Sequence, residues 1–160
     1  MQKILSLEEL LAVRERLKAQ GKTVVLTNGV FDLLHAGHIR YLQEANALGD
    51  VLIVGLNSDA STRALKGPKR PLIPQAERAE LLAALEVVDY VVLFDELTAE
   101  RLVATLQAEI YAKGGDWAPA TLPEARAVAQ YGGRIEILPQ VAGRSTQALI
   151  ETILERYRER

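Results

Sequence analysis

Residues 27–42 read TNGVFDLLHAGHIRYL and contain both histidines of the chain, His35 and His38. The β-branched run TVVLT at 23–27 leads into this stretch and predicts a buried strand. From Gly37 onward apolar residues recur at helical spacing, and Gly49 follows as a helix-ending residue. The stretch therefore predicts a strand, a tight turn and a helix, which is the first unit of an α/β sheet.

Further strand-like runs occur along the chain at 51–56, 90–94, 109–113 and 134–138. Five more helices are predicted outside 37–48. The first begins with a capping box at Ser6 and Glu9 and ends at Gly21, and the second spans 75–85. The third is capped by Thr98, the fourth begins with a capping box at Thr121 and Glu124 and ends at Gly132, and the last is capped by Ser145. This alternation predicts one Rossmann-like α/β domain over 1–160, with a mainly parallel, doubly wound five-stranded sheet flanked by helices.

The composition excludes several classes of protein. The chain has 160 residues, 49% of them hydrophobic, a net charge of −2 and no cysteine. Disulfides and cysteine zinc sites are thus excluded, and no basic patch favours nucleic acid. No apolar run reaches membrane-spanning length, and charged residues interrupt the first 22 positions, unlike a signal peptide. We therefore expect a cytoplasmic protein with neither a membrane nor a nucleic-acid partner.

The position of the two histidines predicts an anion site. Ligands of such folds bind beyond the carboxyl ends of the strands, where the 27–42 turn must lie. Asn28 and Gly29 can form the turn, Gly37 permits a close approach to the backbone, and the helix N-terminus offers free N–H groups. Imidazole N–H donors there would suit a phosphoryl group under attack.

Other interpretations of the histidines are weaker. A zinc site lacks an obvious third ligand, since only Asp32 or Glu44 lies nearby. Neither a G-x-x-x-x-G-K-[ST] nor a G-x-G-x-x-G motif occurs, so P-loop and dehydrogenase-like interpretations have no support. Histidines also occur simply as polar residues at helix starts, but the pair, the glycine and the strand–turn–helix context together favour function.

Three more segments carry candidate phosphate or nucleotide groups. Arg144, Ser145 and Thr146 follow Gly143 at the start of the last helix, where a guanidinium, hydroxyls and free N–H groups suit a triphosphate. The basic loop 65–74 can close over phosphates, although Lys69 and Arg70 are equally typical of a solvent-exposed loop. In KGGDW (113–117) the glycines leave room for a base, the aspartate can accept hydrogen bonds, and the tryptophan either stacks on the base or packs under the loop.

Four segments together resemble a known family: GVFDLLHAGH, GLNSDASTRALKGPKRPLIPQAER, KGGDW and LPQVAGRSTQALI. In this order and spacing they resemble the H-x-G-H nucleotidyltransferases related to the cytidylyltransferases, over nearly the whole chain after residue 22. Within them the likeness is greatest to the adenylyltransferases that make ADP-heptose, a lipopolysaccharide core precursor. Because 160 residues leave no room for the sugar kinase often fused to that activity, we expect the stand-alone form. One departure is Val30, where the family commonly has cysteine.

The resemblance implies transfer of a nucleotidyl group from ATP to a sugar 1-phosphate, D-glycero-β-D-manno-heptose 1-phosphate, with Mg²⁺ bound to the triphosphate and no protein metal site. It assigns the reaction itself to His35, His38, Lys66 and Arg144. It assigns the nucleotide to Asn28, Gly29, Val30, Phe31, Gly37, Lys113, Gly114, Asp116, Gly143, Ser145 and Thr146. It assigns the acceptor to Asp32, Asn57, Asp59 and Arg78. By analogy the family also implies a possible homodimer.

Two alternatives stay open from the residues alone. A cytidylyltransferase acting on glycerol 3-phosphate or a related alcohol phosphate would use the same motifs, because ATP and CTP both present an exocyclic amine. A non-catalytic nucleotide-binding module is the alternative from another class, although both histidines and the arginine–serine cap are present.

Overall fold

The computed structural model describes residues 2–158. They form an all-parallel five-stranded sheet in the order β3-β2-β1-β4-β5, which is the doubly wound arrangement expected from the sequence. The strands are β1 (Val24–Gly29), β2 (Val51–Asn57), β3 (Tyr90–Phe94), β4 (Ile110–Gly114) and β5 (Arg134–Leu138). The chain fills one half of the sheet outward from β1 and then returns to place β4 on the other side of β1. The strand order therefore reverses between β1 and β4.

Helices cover both faces of this sheet. They are α1 (Leu7–Ala19), α2 (Ala36–Asn46), α3 (Asp59–Lys66), α4 (Gln75–Ala84), α5 (Glu100–Leu106), α6 (Ala125–Tyr131) and α7 (Thr146–Tyr157), with a short 3₁₀ helix at Pro119–Thr121. One apolar core joins the sheet to α1, α5 and α6, and the other joins it to α2 and α4. Between residues 2 and 158, no helix combines the length and the apolar character needed to cross a membrane.

The predicted caps of the first and last helices are confirmed. Ser6 and Glu9 form a reciprocal capping box on α1, and the Ser145 Oγ accepts the Ala148 N–H at the start of α7. In both cases the cap lies within one turn of sequence, so local chemistry alone specifies it.

The predicted caps of α5 and α6 are wrong. Ala99, not Thr98, is the N-cap of α5, and its N–H donates to the Glu124 Oε1 at 3.0 Å. Thr121 ends the 3₁₀ helix, and Glu124 precedes α6 without a side-chain cap bond. The Glu124 carboxylate is buried and serves another helix, so a tertiary contact replaces the local capping box.

Helix α3 was not predicted from the sequence, and its last residues, Leu65 and Lys66, were assigned to the basic loop 65–74. Ser58 is its N-cap and accepts the Ser61 N–H at 3.2 Å. As a result Lys66 is the last residue of a helix instead of part of the following loop.

Candidate active site

A cavity of about 700 Å³ opens at the carboxyl ends of the strands, where the strand order reverses. Most of the residues singled out from the sequence line it. They are Asn28, Gly29, Val30, Phe31, Asp32, His35, Gly37, His38, Asn57, Lys66, Lys113, Gly114, Arg144, Ser145 and Thr146. Four of the predicted residues, Asp59, Arg78, Asp116 and Gly143, are not among the residues that line it.

His35 is the N-cap of α2. Its Nδ1 accepts the backbone N–H of His38 at 3.4 Å, and the two imidazole rings stack with their centroids 3.8 Å apart. Because Nδ1 is the acceptor, the proton of the neutral ring lies on Nε2. The helix cap thus fixes the tautomer of His35 and makes Nε2 a hydrogen-bond donor.

His38 is more deeply placed and packs against Phe31, whose ring centroid is 5.4 Å away. Its Nδ1 is buried and has no hydrogen-bond partner among residues 2–158, so Nε2 is the nitrogen left to serve the cavity. Burial, with the neighbouring His35 adding to it, lowers the pKa of His38 to about 4. Burial and the Arg144 charge likewise lower the pKa of His35. Both rings are therefore neutral near pH 7 and act as N–H donors instead of cations.

Gly37 meets a packing requirement in addition to the role expected of it. A Cβ at this position would lie 2.9 Å from the Cε1 and Nδ1 of His35 and 3.0 Å from the Cβ of Arg144. The missing side chain thus lets these two catalytic candidates meet. Gly37 also lines the cavity, so a close ligand approach to its backbone stays a prediction.

The start of α7 lies beside the histidines. Arg144 is exposed and lines the cavity next to His35. The Thr146 hydroxyl donates to the carbonyl of Leu33 at 3.1 Å, so it ties α7 to the turn after β1. Gly143 has a φ of 70° and lines a smaller neighbouring cavity of about 100 Å³. Within this group, Arg144 and the free N–H groups of the helix are the ones placed to meet a phosphate.

Two tyrosines that sequence reasoning missed support the cavity: the buried Tyr111 on β4 and the partly buried Tyr41 on α2. The Tyr111 hydroxyl donates to the Asn28 Oδ1, and the Tyr41 hydroxyl donates to the Ala112 carbonyl at 3.2 Å. Burial raises the pKa of Tyr41 to about 12, so it stays protonated and keeps its donor. The spacing of Tyr41 three residues after His38 was the available signal, since that spacing shares a helix face.

Lys113 lies at the end of β4 and is half-buried in the cavity. Burial lowers its pKa, the nearby Glu124 carboxylate opposes that shift, and the Lys66 ammonium adds to it. The two ammonium groups are therefore close enough to repel each other electrostatically. They concentrate positive charge on the β2 and β4 sides of the histidines.

Arg78 and Asp59 do not reach the cavity. Arg78 is fully buried, and its guanidinium donates to the carbonyls of Val30, Asn57 and Ile73 and to the Asp59 carboxylate at 2.8 Å. A guanidinium with its donors filled in this way has little left for a substrate. Arg78 thus holds together the segment after β1, the end of β2 and the segment after α3, with Asp59 as one of its partners.

Asp32 lines the cavity, but its carboxylate is already occupied. It is 1% exposed and accepts hydrogen bonds from the Arg70 Nε at 2.7 Å and from the backbone of Leu72 and Ile73. Burial alone would raise the pKa of Asp32, but these hydrogen bonds and the Arg70 charge hold it below its usual value. Asp32 therefore anchors the segment after α3, and its predicted contact with the substrate stays a prediction.

On the base side, Trp117 lines the cavity and is 45% exposed, so it does not pack under the loop. Asp116 is exposed and is not among the residues that line the cavity, and Gly115 before it has a φ of 114°. The cavity wall also includes Gln140 and Val141, which the sequence reasoning did not single out. Their segment lacks charged or aromatic groups, so no chemical signal marked it.

Across residues 2–158, no group of three or more histidine, cysteine, aspartate or glutamate side chains is arranged to hold a metal ion.

Comparison with known proteins gives a consistent picture. The family model described as cytidylyltransferase-like matches residues 26–139. The bifunctional protein HldE of Syntrophotalea carbinolica is 56% identical over 96% of this chain, and that of Geobacter metallireducens is 54% identical over 98%. The chain spans about a third of the length of these relatives, 31% and 32% respectively.

A solved structure shares both sequence and fold. The lipopolysaccharide core biosynthesis protein from Thermoplasma volcanium is 31% identical and superimposes with a TM-score of 0.60. The match covers 76% of this chain and 98% of that one. The fold and the sequence thus point to the same family.

Proposed function

The chain belongs to the cytidylyltransferase-like family and is a nucleotidyltransferase, and we propose that it transfers an adenylyl group from ATP to a sugar 1-phosphate, D-glycero-β-D-manno-heptose 1-phosphate. The observation that carries the proposal is the stacked pair of neutral histidines at the N-terminus of α2, beside Arg144, in the cavity at the strand reversal. A relative of known structure that is named for lipopolysaccharide core biosynthesis supports the choice of a heptose acceptor.

The reaction is an in-line displacement. An oxygen of the acceptor phosphate forms a bond to the α-phosphorus of ATP, and the bond from that phosphorus to the bridging oxygen of the β-phosphate breaks, so pyrophosphate leaves. The nucleophile is already an anion, so no general base and no covalent enzyme intermediate are needed. Catalysis then rests on positioning and on donors aimed at the developing charge.

The Nε2–H groups of His35 and His38 would supply those donors. Burial holds both rings neutral, and the cap bond places the proton of the His35 ring on Nε2. They would bind the α-phosphate and the bridging oxygen, whose negative charge grows as the bond breaks. Arg144 and the N-terminus of α7 would hold the departing pyrophosphate, with Lys66 closing on it from α3.

Mg²⁺ would accompany the triphosphate and neutralise part of its charge. The cations that line the cavity, Lys66, Arg70, Lys113 and Arg144, outnumber the two carboxylates, Asp32 and Glu124, so the lining suits phosphate oxygens better than a bare cation. Such a cavity fits an ion held by phosphate oxygens and water, in keeping with the reluctance of Mg²⁺ to lose its water. We assign no side chain of this chain to the ion.

For the base, we propose that Trp117 stacks on adenine, with Gly114 and Gly115 leaving depth for a purine. A Cβ on Gly114 would lie 3.1 Å from the Tyr41 ring, and one on Gly115 3.3 Å from Gln140, so larger side chains would narrow this end of the cavity. Asp116 does not line the cavity, so we assign it no contact with the base. The preference for ATP over CTP thus rests on pocket depth.

Pyrophosphate release with four combinations tests the proposal: ATP or CTP, each with heptose 1-phosphate or glycerol 3-phosphate. We expect ATP to exceed CTP by at least about tenfold in kcat/KM, or about 1.4 kcal/mol of transition-state discrimination. Heptose 1-phosphate should outperform glycerol 3-phosphate. Activity confined to CTP with glycerol 3-phosphate would overturn the substrate assignment and leave the role of the histidines intact.

A further inference from the structure

Arg70 lies in the cavity, although its sequence context is that of a solvent-exposed basic loop. Its side chain is only 14% exposed and lines the cavity. Its Nε donates to the Asp32 Oδ2 at 2.7 Å, and no hydrogen bond joins Nη1 or Nη2 to another group within residues 2–158. A guanidinium has five N–H donors, so four of them are left for a ligand.

The guanidinium is held in place by a carboxylate that is itself fully used. The Asp32 side chain is inaccessible to solvent and also accepts the N–H groups of Leu72 and Ile73. The buried Arg78 binds the carbonyl of Ile73 as well. The segment that carries Arg70 is therefore tied down at three points, so Arg70 has a defined position in the cavity.

The two ends of the cavity differ in the groups that they present. Arg144 lies beside His35 and Gly37 at α7, and Trp117 and Lys113 lie on the β4 side, where a nucleotide fits. Arg70 lies on the other side: the same Arg78 that holds its segment also binds the carbonyls of Val30 and Asn57, at the ends of β1 and β2. Arg70 and Arg144 are thus carried by different segments of the cavity wall, and the reaction needs two anions to meet at the histidines.

We propose that Arg70 binds the phosphate of the acceptor through Nη1 and Nη2, and that Asp32 is the residue that positions it. The inference rests on the proposed function in one respect, that the acceptor is a phosphate monoester. A planar guanidinium offers two parallel N–H donors to such a group. Because the hydrogen bond to Asp32 already restricts rotation of the Arg70 side chain, less conformational entropy is lost when the phosphate binds. In this arrangement Arg144 binds the triphosphate of ATP and Arg70 binds the attacking phosphate of the acceptor.

The experiment compares acceptor and nucleotide binding in Arg70→Ala, Arg70→Lys and a control, Lys69→Ala, which removes an exposed cation from the same segment. We expect the KM for the acceptor that the wild type uses to rise on the order of 10- to 100-fold in Arg70→Ala. The Kd for ATP, measured by calorimetry without acceptor, should stay within about twofold. Lysine should recover little, because it offers a point charge and no fork. The control should match the wild type.

A variant of the positioning residue separates this role from a merely structural one. Asp32→Asn keeps the shape of the side chain but removes its charge, and we expect it to raise the acceptor KM without weakening ATP. Combined with Arg70→Ala it should add little further, since both changes act through one guanidinium. Full additivity, or an equal loss of ATP affinity, would contradict the positioning role.

The outcomes distinguish this inference from the proposed function. If the wild type releases pyrophosphate with none of the acceptors tested, the proposed function fails. The role of Arg70 is then tested with inorganic phosphate on the protein saturated with a nonhydrolysable ATP analogue, where Arg70→Ala should weaken phosphate binding by a similar factor. An unchanged acceptor KM or phosphate affinity in Arg70→Ala, or a loss confined to ATP, overturns the inference.

Discussion

Gly37→Ala is expected to impair catalysis without unfolding the protein. The new Cβ would lie 2.9 Å from two atoms of the His35 ring. Ordinary contacts between such atoms begin near about 3.5 Å, so the ring must move by about 0.6 Å or rotate. Misplacement of a catalytic group by about 1 Å can cost about 100-fold in rate, so we expect kcat to fall on the order of 10- to 100-fold.

The stability of the variant should change little. Alanine is favoured over glycine within a helix by about 1 kcal/mol, which offsets part of the strain from the close contact. Steady-state kinetics gives kcat, and thermal unfolding checks that the variant folds. Gly21 is a poor control because its φ is 65°, so the matched control is the His35→Ala change itself, alone and together with Gly37→Ala.

The double variant decides whether the reasoning is right. If Gly37→Ala acts by displacing the His35 ring, it should cost almost nothing further once that ring is gone. The contact with the Arg144 Cβ, at 3.0 Å, would be all that is left of the clash. A double variant whose loss in kcat equals the product of the two single losses would refute the idea that Gly37 exists to accommodate His35.

Two further predictions concern charge. Arg144→Ala should narrow the preference for ATP over AMP, and Arg144→Lys should not restore it because lysine lacks a bidentate fork; an unchanged ratio of the two affinities would make Arg144 only a surface residue. Proton NMR should show His38 titrating near pH 4 and His35 below its ordinary pKa of about 6.5. Since folding lowers these pKa values, the unfolding free energy should fall as pH drops from about 6.5 toward 4. If both rings titrated at or above pH 6.5, they would not be neutral hydrogen-bond donors near pH 7.

The sequence predicts the fold well because the strands are buried on both faces. Runs such as VLIVGL at 51–56 and YVVLF at 90–94 are nearly continuous apolar stretches, and they became β2 and β3 with almost the same bounds. The helices α1 and α7 start at caps that lie in their own first turn. Such signals are local, so one sequence is enough to find them.

The side-chain roles that failed depend on partners distant in the sequence. Glu124 has the spacing of a capping box, but its carboxylate accepts a hydrogen bond from the backbone of Ala99. The guanidinium of Arg78 donates its hydrogen bonds to backbone carbonyls and to Asp59. The sequence predicts Arg70 only as part of a basic loop, because Asp32, which anchors it, lies 38 residues away in the chain. The position of the cavity follows from the strand pattern, whereas the occupancy of each donor and acceptor requires the tertiary structure.

The central claim is that the neutral histidines stabilise the transition state, and His38→Ala tests it most directly. Turnover and ATP affinity are measured side by side, by pyrophosphate release and by calorimetry. The account predicts a loss in kcat of about 10²–10³, or about 3 kcal/mol, because the donor acts on charge that develops only during the reaction. The Kd for ATP should change by no more than about threefold. A folded variant that keeps near wild-type turnover, or one whose loss lies in ATP affinity alone, would contradict the claim.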